Sequence, residues 1–86
     1  GDVWEIDAKA YRNPIALRTK IQNDGGFPSG DYARGYFVIP SEYTVNQRNY
    51  TAIINRVLKD QKNVECVTLK TLKTAIAKKE VACNDE

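Results

Sequence analysis

Hydrophobic and polar positions alternate with period two from Val3 to Tyr11. Val3, Glu5, Asp7, Lys9 and Tyr11 share one side; Trp4, Ile6, Ala8 and Ala10 share the other. That period is the strand signature, and Trp, Ile and Val favour it. Asn13-Pro14 then offers an N-cap and a first-turn proline. With Ile15, Ala16, Leu17 and Ile21 as its apolar face, the pattern predicts a helix over 14–22. Residues 23–31 (NDGGFPSGD) are dense in turn formers and predict a mobile surface loop. The loop exceeds the usual length of a connection, which suggests a role in binding. Gly35 to Ile39 is a continuous aromatic and β-branched run closed by Pro40, as expected of a strand buried on both faces. Tyr50, Ile53, Ile54, Val57 and Leu58 recur at helical spacing, with Arg48, Asn55, Arg56 and Lys59 outward, predicting a helix over 46–62 capped by Thr44 or Asn46. Val64 to Leu69 reads as a third strand. A last helix over 70–80 sets Leu72, Ala75 and Ile76 against Lys70, Lys73, Lys78 and Lys79, before an acidic tail. The order β-α-β-α-β-α predicts an α/β (α+β) fold, a mixed sheet flanked by helices.

Composition narrows the class. The chain has 86 residues, 42% apolar and 28% charged, which suits one globular domain over 1–86 and not disorder. No apolar run reaches the ~18 residues of a membrane span. Two cysteines are too few for a disulfide scaffold. Cys66 reads as an inert thiol in an apolar strand and Cys83 as a tail residue, unbridged, as in a reducing cytoplasm. There is no histidine, which all but removes zinc sites and histidine-based acid–base or triad chemistry. Any catalysis falls to carboxylates, lysines, tyrosines and a borrowed metal ion. The lack of methionine and the opening Gly1-Asp2 suggest a piece excised from a larger domain, with Gly1 a cloning or processing scar.

The formal charge of +2 is unevenly spread. Residues 1–11 set three acids against one lysine, and residues 80–86 carry three acids and no base. Residues 12–79 hold twelve Lys and Arg against five acids. A basic body is a footprint for a polyanion, and a solvated lysine-rich face explains the same residues equally well.

The informative residues lie on the first strand. Charged residues are depleted in strands, yet Glu5, Asp7 and Lys9 share one side of this one. Asp7 and Lys9, two apart, project together about 6–7 Å apart at the backbone. A carboxylate so placed binds a hard cation such as Mg²⁺, and the Ala8 carbonyl offers another oxygen. The lysine orients a water or offsets charge developing on a phosphate. The plainer reading of a D-x-K tripeptide is a surface ion pair.

The segments WEIDAKAY, NPIALRTKI and GYFVIP resemble the second half of the PD-(D/E)xK, or restriction-endonuclease-like, nuclease superfamily. There a core strand carries (D/E)-x-K, a helix follows, and another core strand lies beside it. The run Ile6 to Tyr11, with Asn13-Pro14 and Leu17, is also similar to endonuclease-like domains accompanying prokaryotic Piwi-type proteins in defence islands. The resemblance implies Mg²⁺-dependent hydrolysis of DNA phosphodiesters. Asp7 and Lys9 take the catalytic roles, Asp7 and Ala8 the metal, and Glu5 a supporting place beside them. It also implies that the family's other acid lies upstream of residue 1. The site would then be completed by other segments of a parent protein or by another chain, a homodimer included. Asp7 and Lys9 are expected mid-sheet, facing a cleft. Arg12, Arg18 and Arg34 are candidate phosphate contacts, and Tyr36, interleaved with Arg34, a candidate base-stacking residue or a core one. A nucleic-acid-binding or protein-interaction module without catalysis remains the alternative.

Overall fold

The computed structural model describes residues 3–84, with side-chain surroundings through residue 79. Strand β1 (Trp4–Ala8) leads to helix α1 (Pro14–Asp24), central strand β2 (Arg34–Ile39), a 3₁₀ turn (Ser41–Thr44), helix α2 (Tyr50–Val57), strand β3 (Val64–Thr68) and helix α3 (Leu69–Asn84). The sheet order is β1-β2-β3 and both pairings are parallel, so the expected mixed sheet is parallel throughout the described residues. Parallel neighbours need a crossover between them, and α1 and α2 supply it.

The helix ends follow local chemistry. Asn13 caps α1, its Oδ1 accepting from the Ile15 N–H at 2.9 Å, and Pro14 opens the first turn. The helix runs to Asp24, two residues beyond expectation. It stops at Gly25, left-handed at φ 78°, where the Gly26 N–H reaches the Ile21 carbonyl at 2.9 Å. This C-cap satisfies carbonyls that the helix end would otherwise leave open. The expected helix over 46–62 is shorter, for two reasons. Residues after Pro40 close into a 3₁₀ turn, with the Thr44 hydroxyl donating to the Ser41 carbonyl at 2.8 Å, and Asn49 takes the N-cap position. Beyond Leu58, successive turns bend the chain into β3: the Gln61 N–H donates to the Leu58 carbonyl, and Val64 to Gln61. Helix α3 starts at Leu69 and continues to Asn84, past the expected end at residue 80. The Thr68 hydroxyl accepts from the Thr71 N–H and the Ser41 hydroxyl from the Lys70 N–H, capping two of its first-turn donors.

Helices α1 and α2 cover one face of the sheet and α3 the other. Leu17, Ile21, Tyr50, Ile54 and Leu58 meet Phe37, Ile39, Val64 and Cys66 on the first; Leu72 meets Tyr36, Val38 and Val67 on the second. From Gly35 onward β2 is buried at every position, as its unbroken apolar run predicts. The Phe27 ring lies over Gly35, where a Cβ would meet it at 2.8 Å, so only glycine fits there. Residues 23–31 are not the free loop expected. Phe27 is buried, its backbone N–H donates to Gln61 Oε1, and Gln61 Nε2 donates to its carbonyl, both at 2.9 Å. One buried aromatic pins the loop to the far side of the domain. Cys66 is buried, and burial, with the nearby Glu65 carboxylate, pushes its thiol from 9.0 up to about 12, as expected of an inert thiol. The side chain of Cys83 and the acidic residues at the end of the chain lie outside the described surroundings. Among the described residues no helix is long and apolar enough to cross a membrane.

Candidate functional site

Parallel register puts paired residues on the same face of the sheet. Asp7 pairs with Phe37, and so projects with Lys9 and Glu5 toward the α1–α2 side. Asp7 and Lys9 form an ion pair at 3.3 Å, Lys9 Nζ to Asp7 Oδ2. The pair is part-buried, 38% of the Asp7 side chain and 21% of the Lys9 side chain being exposed. A surface ion pair contributes only ~0–1 kcal/mol, so the geometry gains little stability from holding these charges together. Glu5 is exposed on the same face, beside Gly35.

Strand β1 lies at an edge of the sheet among the described residues, not mid-sheet as expected. The Lys9 N–H donates to the Val38 carbonyl at 2.8 Å. Since alternate residues of a parallel strand serve alternate neighbours, the Ala8 carbonyl is directed away from β2, toward the open edge. Pro40 has no N–H to extend the ladder, so pairing ends beside Lys9. There the carboxyl ends of the strands open into a cavity of about 450 Å³, lined by Ala8, Lys9, Pro40, Ser41, Glu42 and Leu69 among others. Crevices at the carboxyl ends of parallel strands are where α/β sheets bind ligands. Lys9 thus faces a cleft, while Asp7 stands behind it on the strand.

The segment after Lys9 is held from a distance. The buried Tyr50 hydroxyl donates to the Tyr11 carbonyl, and Gln47 Nε2 to the Arg12 carbonyl at 2.7 Å. Burial, then Cys66 and Tyr43, push the Tyr50 phenol from 10.0 up to about 12, so it remains a donor across the physiological range.

Of the other residues singled out in the sequence, Arg12 is exposed at the turn into α1, and Arg18 is half-buried on α1. Arg34 opens β2 at the opposite end of the strands from Lys9. Tyr36 is 5% exposed, with its ring against Trp4 at 5.2 Å, so it offers no open face for a base. Trp4 itself is part-buried, with the Lys79 ammonium 4.5 Å from its ring centre. The structure therefore brings together Asp7, Ala8 and Lys9, with Glu5 adjacent, and separates them from Arg34 and Tyr36. Sequence reading passed over Glu42, which shares the cavity with Lys9. The available signal was position: it lies directly after β2, where strands of this kind present loops to ligands.

The oxygen donors present, the Asp7 carboxylate and the Ala8 carbonyl, fit a hard divalent cation in kind. They fall short in number. Among the described residues no group of three or more Asp, Glu, Cys or His is placed to hold a metal.

Comparison with known proteins gives one match. Residues 1–82 match the family described as REase associating with pPIWI_RE. No curated protein and no solved structure matches the chain.

Proposed function

The chain belongs to this family, a restriction-endonuclease-like domain tied to pPIWI systems, and from that premise we propose that it serves Mg²⁺-dependent hydrolysis of DNA phosphodiesters. The observation that carries the proposal is the part-buried Asp7–Lys9 pair at the carboxyl end of β1, with Lys9 opening on the cavity. Asp7 and the Ala8 carbonyl would hold the cation on this chain. Bound there, Mg²⁺ supplies a Lewis acid for a phosphoryl oxygen and a more acidic bound water. With Asp7 as the cation's ligand, Lys9 would present its ammonium to the phosphate or the attacking water. Glu5, one strand period away on the same face, is the supporting carboxylate beside Asp7. Tyr50 and Gln47 fix the backbone that follows Lys9, so the lysine enters the cavity from a rigid frame.

One carboxylate does not hold Mg²⁺ alone, so the remaining acids come from groups other than those described here. They belong to a further segment of the protein or to a partner, a second copy included. The family description makes a pPIWI protein the natural partner. In that setting the DNA is foreign and the role is defence. Arg12, at the turn into α1, and Arg18, on α1, are the candidates for phosphate contact on the side of the sheet that Asp7 faces.

The test is metal-dependent cleavage of DNA by the chain together with its pPIWI partner, compared among the parent, Asp7→Asn and Lys9→Ala. Loss of cleavage by at least about 100-fold in both variants, with DNA binding kept, is the expected result. Undiminished cleavage in either removes that residue from the mechanism. A second reading has an observation of its own. Asp7 already has a counter-ion in Lys9, the resting state of an interaction module that binds DNA or protein without cutting. DNA binding without metal-dependent cleavage, in the presence of the partner, selects that reading.

A further inference from the structure

The corner of the sheet diagonally opposite Lys9 carries a second concentration of charge. Where β2 and β3 begin, a hollow of about 340 Å³ is lined by Arg34, Lys59 and Lys62, with Asn55, Gln61 and Glu65 in its walls. Its cations come from two separate elements, the start of β2 and the turn between α2 and β3, brought together by the fold. All three are exposed, and none makes an ion pair or side-chain hydrogen bond among the described residues. Glu65 is exposed at the same hollow and pairs with none of them.

The walls are fixed. Asn55 is locked to β3 in both directions, its Nδ2 donating to the Cys66 carbonyl at 3.2 Å and its Oδ1 accepting the Cys66 N–H at 2.6 Å. Gln61 is locked in the same way to the Phe27 backbone. The turn carrying Lys59 and Lys62 is therefore tied to β3 on one side and to the 23–31 loop on the other, and the Gly35 N–H ties its far end to β2 through the Asn63 carbonyl at 2.9 Å. Three cations against the one carboxylate of Glu65 leave the hollow net positive, a charge that an anion offsets. The space equals about ten waters, more than a lone carboxylate fills. Arg34 supplies a planar fork matched to phosphate oxygens, and the lysines supply point charges at its sides. Much of the wall is polar, with amides already committed to the backbone. That suits a ligand that presents charge rather than apolar side chains, as the phosphate backbone of a nucleic acid does.

We propose that Arg34, Lys59 and Lys62 form a phosphate-backbone site, which holds the phosphodiester chain of a nucleic acid at the edge of the sheet away from Asp7 and Lys9. The proposal takes nucleic acid as the ligand from the reading above but not cleavage. Arg34 pairs with Trp4, five residues before Lys9 on β1, so about 16 Å of strand separates the two ends. The hollow therefore grips the same strand, or its complement, well away from the scissile phosphate.

The test is binding of a labelled DNA duplex to the full chain without divalent metal, across a series of salt concentrations. The triple variant Arg34→Ala, Lys59→Ala, Lys62→Ala is compared with a control that removes two exposed lysines from α3, Lys73→Ala and Lys78→Ala. The triple variant should lose at least about 10-fold in affinity, and its salt dependence should flatten by about 2–3 in log–log slope. The control should stay within about threefold, and Lys59→Arg with Lys62→Arg should bind as the parent does. Binding lost in the triple variant upholds the site whether or not the protein cuts DNA, so its failure is separable from that of the nuclease reading. Equal losses in triple variant and control, or no loss in either, overturn it. Polyglutamate that binds the hollow in place of DNA overturns it in favour of an acidic protein partner.

Discussion

The two charged corners of this sheet are built on opposite terms. Beside β1 a carboxylate and an ammonium face each other at 3.3 Å, part-buried, and cancel. Beside β3 three exposed cations surround a hollow with Glu65 as its one carboxylate, paired with none of them. A neutral pair tolerates partial burial and has little reach into solvent. Unpaired cations must stay wet, but they act over a Debye length of roughly 8 Å at physiological salt. The first arrangement suits groups that act on a phosphate once it has arrived; the second suits groups that bring it there. What separates the corners is the sheet's interior: β2, buried at every position from Gly35, keeps the two apart and rigid.

That contrast can be broken in graded steps. The largest expected effect is chemical: the two β1-corner variants, Asp7→Asn and Lys9→Ala, abolish cleavage yet leave DNA affinity in place. Next comes the partition between the corners. Ile54 is fully buried beneath the β3 side, and Ile54→Ala should cost about 2–5 kcal/mol in urea unfolding. Ile6, 47% exposed on β1, should cost less than about 1 kcal/mol as Ile6→Ala. Similar losses at both would mean that β1 is as deeply embedded as the core. Tyr50→Phe deletes the donor to the Tyr11 carbonyl and should cost about 1–2 kcal/mol. It should also lower cleavage more than DNA binding, because it loosens only the frame of Lys9.

Alkaline pH probes the interior between the corners. Cys66 and Tyr50 both keep their protons to about pH 12 in the folded state, against 9.0 and 10.0 in the unfolded chain. Between those values the unfolded state binds fewer protons, so stability falls as pH rises. Their contribution is complete below about pH 9 and is lost progressively toward pH 12. Cys66→Ala should flatten the part of the decline that begins near pH 9 in a series of denaturant midpoints; an unchanged curve would assign the decline to other groups. The smallest effect is that of Lys9→Ala on stability, under about 1 kcal/mol by the same unfolding measurement. A larger loss would make the ion pair a structural device.

Much of the fold was legible along the chain because it rests on local patterns. Asn13-Pro14 marked the start of α1, the GYFVI run marked a strand covered on both faces, and the six-element order was complete. The boundaries of α2 were not legible, since the turns at either end are made by Pro40, Ser41 and Gln61 bonding to partners that periodicity does not register. The free loop of residues 23–31 failed for the same reason. Phe27 is buried by Gly35 and clamped by Gln61, the latter 34 residues away. At the candidate site, the Asp7–Lys9 pairing follows from period two alone. The edge position of β1, the cavity shared with Glu42 and the Tyr50 support do not.

The sequence by itself determined which residues alternate, which cap and which bury, because neighbours along a strand or helix settle those choices through backbone geometry. It therefore placed Asp7 and Lys9 side by side. Only the tertiary structure decided what each group faces. It set Lys9 at the carboxyl end of parallel strands, turned Tyr36 from a stacking candidate into a wall against Trp4, and brought Arg34 to Lys59 and Lys62. Those are contacts between segments distant in the chain, fixed by register and crossover, and no local pattern encodes them.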